Sequence, residues 1–337
     1  MRRLSKTGAI LPVMVLATLL AGAAVRTIAI ETDLPPDIEQ LYNSGRYRQA
    51  AEALEGAVKQ SPSNAPLHYW LGRCFFELRD YNQAATVLER AVALDPSRSD
   101  YHDWLGKAFG RKAEESSRFS PFSGFSLARK THREFETAVA LDEHNMEAQR
   151  DLIRYLLNAP GIVGGGEDRA MDRIRALSAV DPTEGDLAQA EYLVLRKKFD
   201  QASEQYQKVI ESKPGRIGVY FEIAEYERDR DDGKRMEQVV EVGAKLVPFD
   251  PRLSYYRAVA WILQKKNSDD AEKNLRRYLA SVPDSSEAPP HSSAREWLGT
   301  LYEQEGKLDE AAEQYQTTLT LDPHSKVARD GLKRLHR

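Results

Sequence analysis

The chain is poor in the residue types that carry chemistry or cross-links. One cysteine, Cys74, among 337 residues excludes an internal disulfide and any zinc site built on cysteines. The seven histidines, at positions 68, 102, 132, 144, 291, 324 and 336, form no HExxH pair and no carboxylate cluster with metal spacing. There is no Gly-x-Ser-x-Gly elbow and no GxGxxG run. A net charge of −4 and a pI near 6.1 give no global attraction to nucleic acid or an anionic membrane surface. Catalytic residues, metal sites and cofactors are therefore not expected, and neither is an enzyme.

A hydrophobic share of 41% beside 30% charged residues is that of a folded chain. The first residues differ in kind. Arg2, Arg3 and Lys6 precede an uncharged run from Thr7 to Val25, with Ala21-Gly22-Ala23 near its end. A positive start, an apolar middle and small residues at −3 and −1 describe a secretory signal cut after Ala23. The alternative is an uncleaved anchor, for which 19 uncharged residues are borderline. Leu20-Ala21-Gly22-Ala23 lacks the cysteine of a lipoprotein box, so lipidation is not expected. As signal or anchor, the segment places the remainder outside the cytoplasm, periplasmic or secreted, and on a membrane only if it is retained.

Two distant segments then match. Residues 70–96 read WLGRCFFELRDYNQAATVLERAVALDP, and residues 297–323 read WLGTLYEQEGKLDEAAEQYQTTLTLDP. Each gives W-L-G, an aromatic three residues after the glycine, a Gly or charged turn, an A-A pair and L-D-P. Leu71, Gly72 and Phe75 share one helical face, and Leu88 and Ala91 continue the face of a second helix. Small residues at Gly72 and Ala84 suit a close helix crossing, and Pro96 ends the pair. One such hairpin cannot bury its own apolar faces and must stack on neighbours.

The pattern resembles the tetratricopeptide repeat, whose unit is about 34 residues. The resemblance implies an all-α, right-handed superhelical solenoid of about eight helix-turn-helix repeats. They run over 31–64 (with a degenerate first helix), 65–98, 99–145, 146–182, 183–216, 217–250, 251–283 and, after a linker at 284–291, 292–325. A cap helix over 326–337 follows.

Two repeats are interrupted. Phe109 and Phe135 stand 26 residues apart where 13 is regular, so repeat three carries an insertion of 13. It contains RFSPFSGF, residues 118–125. Phe119, Phe122 and Phe125 either fold back onto the solenoid or form an aromatic lip for a partner. The second insertion is Ala159-Pro160-Gly161-Ile162-Val163-Gly164-Gly165-Gly166-Glu167-Asp168. Its glycines invite a phosphate, but no Lys-Ser/Thr follows, and Glu167 and Asp168 would repel one. A structural elbow is expected.

The resemblance also implies that the first helices line a concave groove, with positions 2, 5, 9, 12 and 13 pointing into it. Position 9 carries Arg73, Lys107 and Arg154, with Arg150 and Arg111 at positions 5 and 13, and then switches to Glu191 and Glu225. The groove is expected to be basic toward its N-terminal half, suiting an acidic segment or carboxylate of an extended protein or peptide. Replacing Arg73, Lys107 and Arg154 by Glu is expected to abolish capture and spare stability. The Lys/Asn/Arg clamp that some family members use for chaperone C-termini is unmatched, because Tyr69, Trp104 and Asp151 occupy its positions. Two functions follow: an adaptor that binds through its groove, or a subunit of a larger envelope complex docked by its convex face and Phe loop. His68 and His102 share position 4 of successive repeats and are expected to pack between helices. Cys74 is expected to be an inert core thiol.

Overall fold

The helix starts follow from side chains placed just ahead of them. Asn64 accepts from the Leu67 amide, Asp80 from Gln83, Asn145 from Ala148, Asp181 from Thr183 and Glu184, and Asp232 from Arg235. The helix ends have a local cause as well. In the L-D-P element the Asp95 carboxylate accepts from the Ser97 amide and Asp322 from His324, and Asp142, in Leu141-Asp142-Glu143, accepts in the same way from His144. That acidic residue therefore closes the turn between hairpins.

In the computed structural model, which describes residues 34–117, 122, 124–285 and 288–335, the described residues form seventeen α-helices and no strand. The leader segment and Phe119 lie outside them. Among the described residues no helix is long and apolar enough to cross a membrane. Eight hairpins follow in order: α1 (Pro36–Asn43) with α2 (Tyr47–Gln60), α3 (Ala65–Glu77) with α4 (Tyr81–Leu94), α5 (Ser99–Ser117) with α6 (Phe125–Leu141), and α7 (Met146–Asn158) with α8 (Glu167–Val180). Then come α9 (Pro182–Leu195) with α10 (Phe199–Glu211), α11 (Ile217–Asp229) with α12 (Gly233–Leu246), α13 (Leu253–Leu263) with α14 (Ser268–Ser281), and α15 (His291–Gln304) with α16 (Leu308–Leu321). The last helix, α17 (Lys326–Leu335), packs against α15 and α16.

The hairpins stack into an all-α superhelical solenoid. Neighbouring first helices touch along α3–α5–α7–α9 and along α11–α13–α15, with α17 against α15, and so form the inner layer of the groove. In three hairpins a glycine at position 8 sets the crossing. A Cβ on Gly72 would lie 2.5 Å from Leu88 Cγ, one on Gly106 would lie 2.6 Å from the Phe135 ring, and one on Gly299 would lie 2.5 Å from the Tyr315 ring. Gly72 thus makes room for Leu88 rather than pairing with Ala84. Position 4 ties each turn to the next helix: His68 and His102 approach the Pro62 and Pro96 carbonyls at 3.0 and 3.1 Å, and the Gln149 amide donates to the Glu143 carbonyl.

The two insertions change this scheme. Much of the first goes into helix, giving α5 19 residues and α6 17 where α3 and α4 have 13 and 14. The second forms a single 3-10 turn, Gly161–Val163, followed by Gly164 at φ 107°. A side chain on Gly164 would strike His132, so glycine is needed there for backbone and for space. Around these hairpins the apolar core is divided. One cluster runs from Leu34 to Phe109 and another from Leu187 to Ala328, with two smaller ones between them.

Candidate functional site

The insertions meet along α6. The Tyr155 hydroxyl lies 2.7 Å from both the Ala128 and the Val163 carbonyl oxygens, and the His132 ring stacks on Tyr155 at 5.3 Å. Arg129 donates to the Ile162 carbonyl at 3.4 Å. Between α5, α6, α7 and the second insertion a cavity of about 1020 Å³ opens. Phe76, Trp104, Phe125, Phe135 and Val163 supply apolar wall, and Lys107, Glu147 and Asp151 stand at one side.

Lys107 lies 2.9 Å from Asp103 and 3.2 Å from Asp151, and also pairs with Glu147. Burial pushes the Asp103 carboxyl up to about 7; Lys107 pulls against this, while Asp151 and Glu147 add to the rise. Asp103 Oδ1 is buried without a hydrogen-bond donor, which favours the protonated form. These three carboxylates have the spacing of a metal site. The Lys107 ammonium already touches each of them, so the cluster is an ion-pair centre.

A second such centre adjoins it. Arg150 donates to both Glu222 oxygens at 2.6 Å and to Glu191 at 3.2 Å, with Glu184 at 3.7 Å. Glu184 also pairs with Arg216. Arg154 donates to Glu191 at 2.9 Å and to Asp151 at 3.4 Å, joining the two centres into one chain from α5 to α11. Beyond it lies a cavity of about 550 Å³ carrying Glu191, Glu222, Glu225 and Asp229 against Arg154 and Arg230.

The five cations singled out in the sequence do not form one basic surface. Lys107 and Arg150 are each outnumbered three to one by carboxylates. Arg111 is exposed and pairs with Glu114, and Arg154 is exposed between Asp151 and Glu191. Arg73 sits among rings, 4.4 Å from Trp70, 4.3 Å from Trp104 and 5.1 Å from Tyr42. It bridges α1, α3 and α5, an arrangement worth about 0.5–2 kcal/mol per favourable ring contact. Reversing Arg73, Lys107 and Arg154 would thus cost stability, contrary to the expectation from position alone. Phe122 is 75% exposed, 5.5 Å from the half-buried Phe125 that lines the larger cavity. The first insertion therefore does not fold away entirely. Glu184 and Glu222 were not foreseen; Glu184, at position 2 of its repeat, is the one a periodic reading could have found, whereas Glu222 stands at position 6, outside the groove positions.

Models of the tetratricopeptide repeat match residues 41–108 and 263–326. The chain is a tetratricopeptide repeat protein. Its fold is similar to that in the crystal structure of the APC/C hetero-tetramer Cut9–Hcn1, with a TM-score of 0.51 and 13% identity over 89% of this chain. This chain spans 55% of that one. A tetratricopeptide repeat protein from Parabacteroides merdae is similar at a TM-score of 0.43 and 13% identity, covering 90% of this chain and 97% of that one. MamA is similar at 0.39 and 17%, covering 52% and 94%. No curated protein matches. At such identities the likeness concerns the fold. The two insertions and the ion-pair chain in this tetratricopeptide groove are read from its own residues. The tetratricopeptide repeat fold supports a protein-interaction scaffold as its general role.

Proposed function

We propose that the protein is a non-catalytic scaffold that holds an extended segment of a protein partner in its concave groove. The observation that carries this reading is a large, partly apolar cavity in the inner layer, continuing into a second, acidic one. The charge balance favours a segment bearing Lys or Arg rather than an acidic one. An incoming carboxylate would have to displace three carboxylates from Lys107 or Arg150, whereas the second cavity carries four carboxylates against two guanidinium groups, so a cation there meets an excess of negative charge. The thiol of Cys74 suits a structural role, because burial pushes it up to about 12.

Export to the periplasm or beyond is part of the proposal and rests on the N-terminal sequence. Fractionation of cells expressing the tagged chain tests it; retention in the cytosol contradicts it. A second reading, a subunit docked by another face, draws on Phe249, which is 94% exposed with Val242, Leu246 and Val247 also exposed nearby in the chain. Panning random dodecapeptides displayed on phage against the immobilised protein separates the two. Enrichment of Lys- or Arg-bearing peptides supports the groove; enrichment of acidic peptides, or none, overturns it.

A further inference from the structure

The two insertions have a joint product that neither makes alone. The larger cavity takes Ala113, Ser117, Phe125 and Ala128 from the lengthened α5 and α6, and Ala159, Pro160 and Val163 from the second insertion. An uninterrupted repeat lacks the lengthened helix ends and the second insertion that supply most of these walls. Its volume lies at the upper end of the roughly 300–1,000 Å³ range of ligand sites.

Gly110 shows that the space is unfilled by choice of residue. It lies inside α5, where glycine costs about 1 kcal/mol relative to alanine. Packing does not require it: an added Cβ would find Thr131 at 3.6 Å, an ordinary contact. One turn earlier Gly106 is required, because a Cβ there would collide with Phe135. Gly110, Ala113 and Ala128 are small residues facing a cavity that a leucine would fill. The exposed Phe122, edge-on to Phe125, extends the apolar wall outward.

We propose that this insertion-built cavity is an anchor pocket for one bulky apolar side chain, aromatic or branched, of an extended partner segment whose Lys or Arg reaches the carboxylates of the second cavity. The inference rests on the groove-binding reading and adds to it the identity of the anchor. Arg154 lines both cavities, so a segment lying across it meets apolar wall on one side and Glu191, Glu222, Glu225 and Asp229 on the other. The apolar side chain gains by leaving water, and the cation gains by charge complementarity. Lys107 and Arg154 already pair with carboxylates, and Arg230, over the Phe199 and Tyr226 rings, stands among the four acids of the second cavity.

The test uses the dodecapeptides enriched by panning, with affinity measured by fluorescence anisotropy on wild type, Gly110→Leu and Ala128→Leu, each checked for an unchanged melting transition. Filling the pocket should weaken binding at least tenfold, as should replacing the peptide's apolar residue by Ala. The two changes together should weaken it no further than either alone. Replacing Glu225 by Gln and Asp229 by Asn should weaken Lys- or Arg-bearing peptides and leave the apolar preference intact. If no peptide is enriched, the groove reading falls and this inference with it. If enriched peptides bind both filled variants as tightly as wild type, the groove reading stands and the anchor pocket is overturned. Self-association in sedimentation that is lost in Gly110→Leu would make a second copy the occupant and overturn the proposal.

Discussion

Hairpins α3–α4 and α15–α16, near opposite ends of the solenoid, follow the repeat without interruption; hairpins α5–α6 and α7–α8 do not. In the regular pair a glycine at position 8 receives Leu88 or Tyr315, and the hairpins carry long, unbroken apolar clusters. In the interrupted pair the core is split, one glycine, Gly110, stands where nothing presses on it, and nine charged side chains from α5, α7, α9 and α11 join in one chain. Regularity builds the scaffold, and the departures from regularity make the cavity. The ends of the molecule are therefore expected to answer substitution through stability, and the middle through binding as well.

The largest expected effect sharpens that contrast from the charged side. Arg150→Ala leaves Glu184, whose side chain is 3% exposed, with Arg216 alone, and frees Glu222. A loss of about 3–5 kcal/mol in chemical denaturation is expected for breaking such a buried network. A loss below about 1 kcal/mol would show that the network is surface decoration.

Next come the crossing glycines. Gly72→Ala, Gly106→Ala and Gly299→Ala should each cost about 1–3 kcal/mol by overpacking. Gly110→Ala, one turn along α5 from Gly106, should go the other way, gaining up to about 1 kcal/mol from helix propensity. Opposite signs at Gly106 and Gly110 would confirm that one glycine serves packing and the other serves space. Equal costs would erase the distinction.

The pH dependence separates the same regions more finely. With Asp103 pushed up to about 7 in the fold, the folded state keeps a proton that the unfolded carboxyl, near 3.8, has released. Stability from this group therefore falls as pH rises from about 4 to 7. His102 acts in the same direction. Burial opposes its charge, but Glu134 at 2.7 Å and the Pro96 carbonyl raise its value overall, and that contribution fades as pH climbs through it. Asp103→Asn removes one of the two contributions. Its stability relative to wild type should improve between pH 5 and 8, on the order of 2 kcal/mol. A difference independent of pH would place Asp103 outside the titration.

The smallest effect concerns the turns. Arg79 and Lys197 hold φ 60° and 57° in the turns joining the helices of their hairpins, where Gly45 and Gly306 sit at 72° and 75°. Arg79→Gly and Lys197→Gly should be neutral or stabilise by up to about 1 kcal/mol, since relief of the left-handed strain offsets lost chain stiffness. Calorimetry on the two variants checks this.

The sequence made the hairpins legible because W-L-G, the A-A pair and L-D-P each answer to one local contact. It also revealed the size of the first insertion, through the spacing of Phe109 and Phe135. It did not show that the extra residues would lengthen α5 and α6, although Lys112-Ala113-Glu114-Glu115 is helix-forming sequence. The charge pattern misled for a different reason. Cations at position 9 were visible, but the acids that neutralise them come from neighbouring helices, as Glu147 and Asp151 do for Lys107 and Glu222 does for Arg150. Periodicity lists what faces the groove; pairing across helices depends on how the hairpins stack. The cavity was the least legible feature, since it arises from two insertions well separated in sequence that meet at Tyr155.

The most direct measurement is photo-crosslinking with an enriched dodecapeptide whose apolar residue is replaced by benzoylphenylalanine, with the adduct mapped by mass spectrometry. Adducts confined to α5, the start of α6, α7 and residues 159–163 would place the anchor in the insertion-built cavity, as expected here. Adducts on α4, on α3 away from Phe76, or on α15–α16 would contradict the claim that binding resides where the repeat is broken.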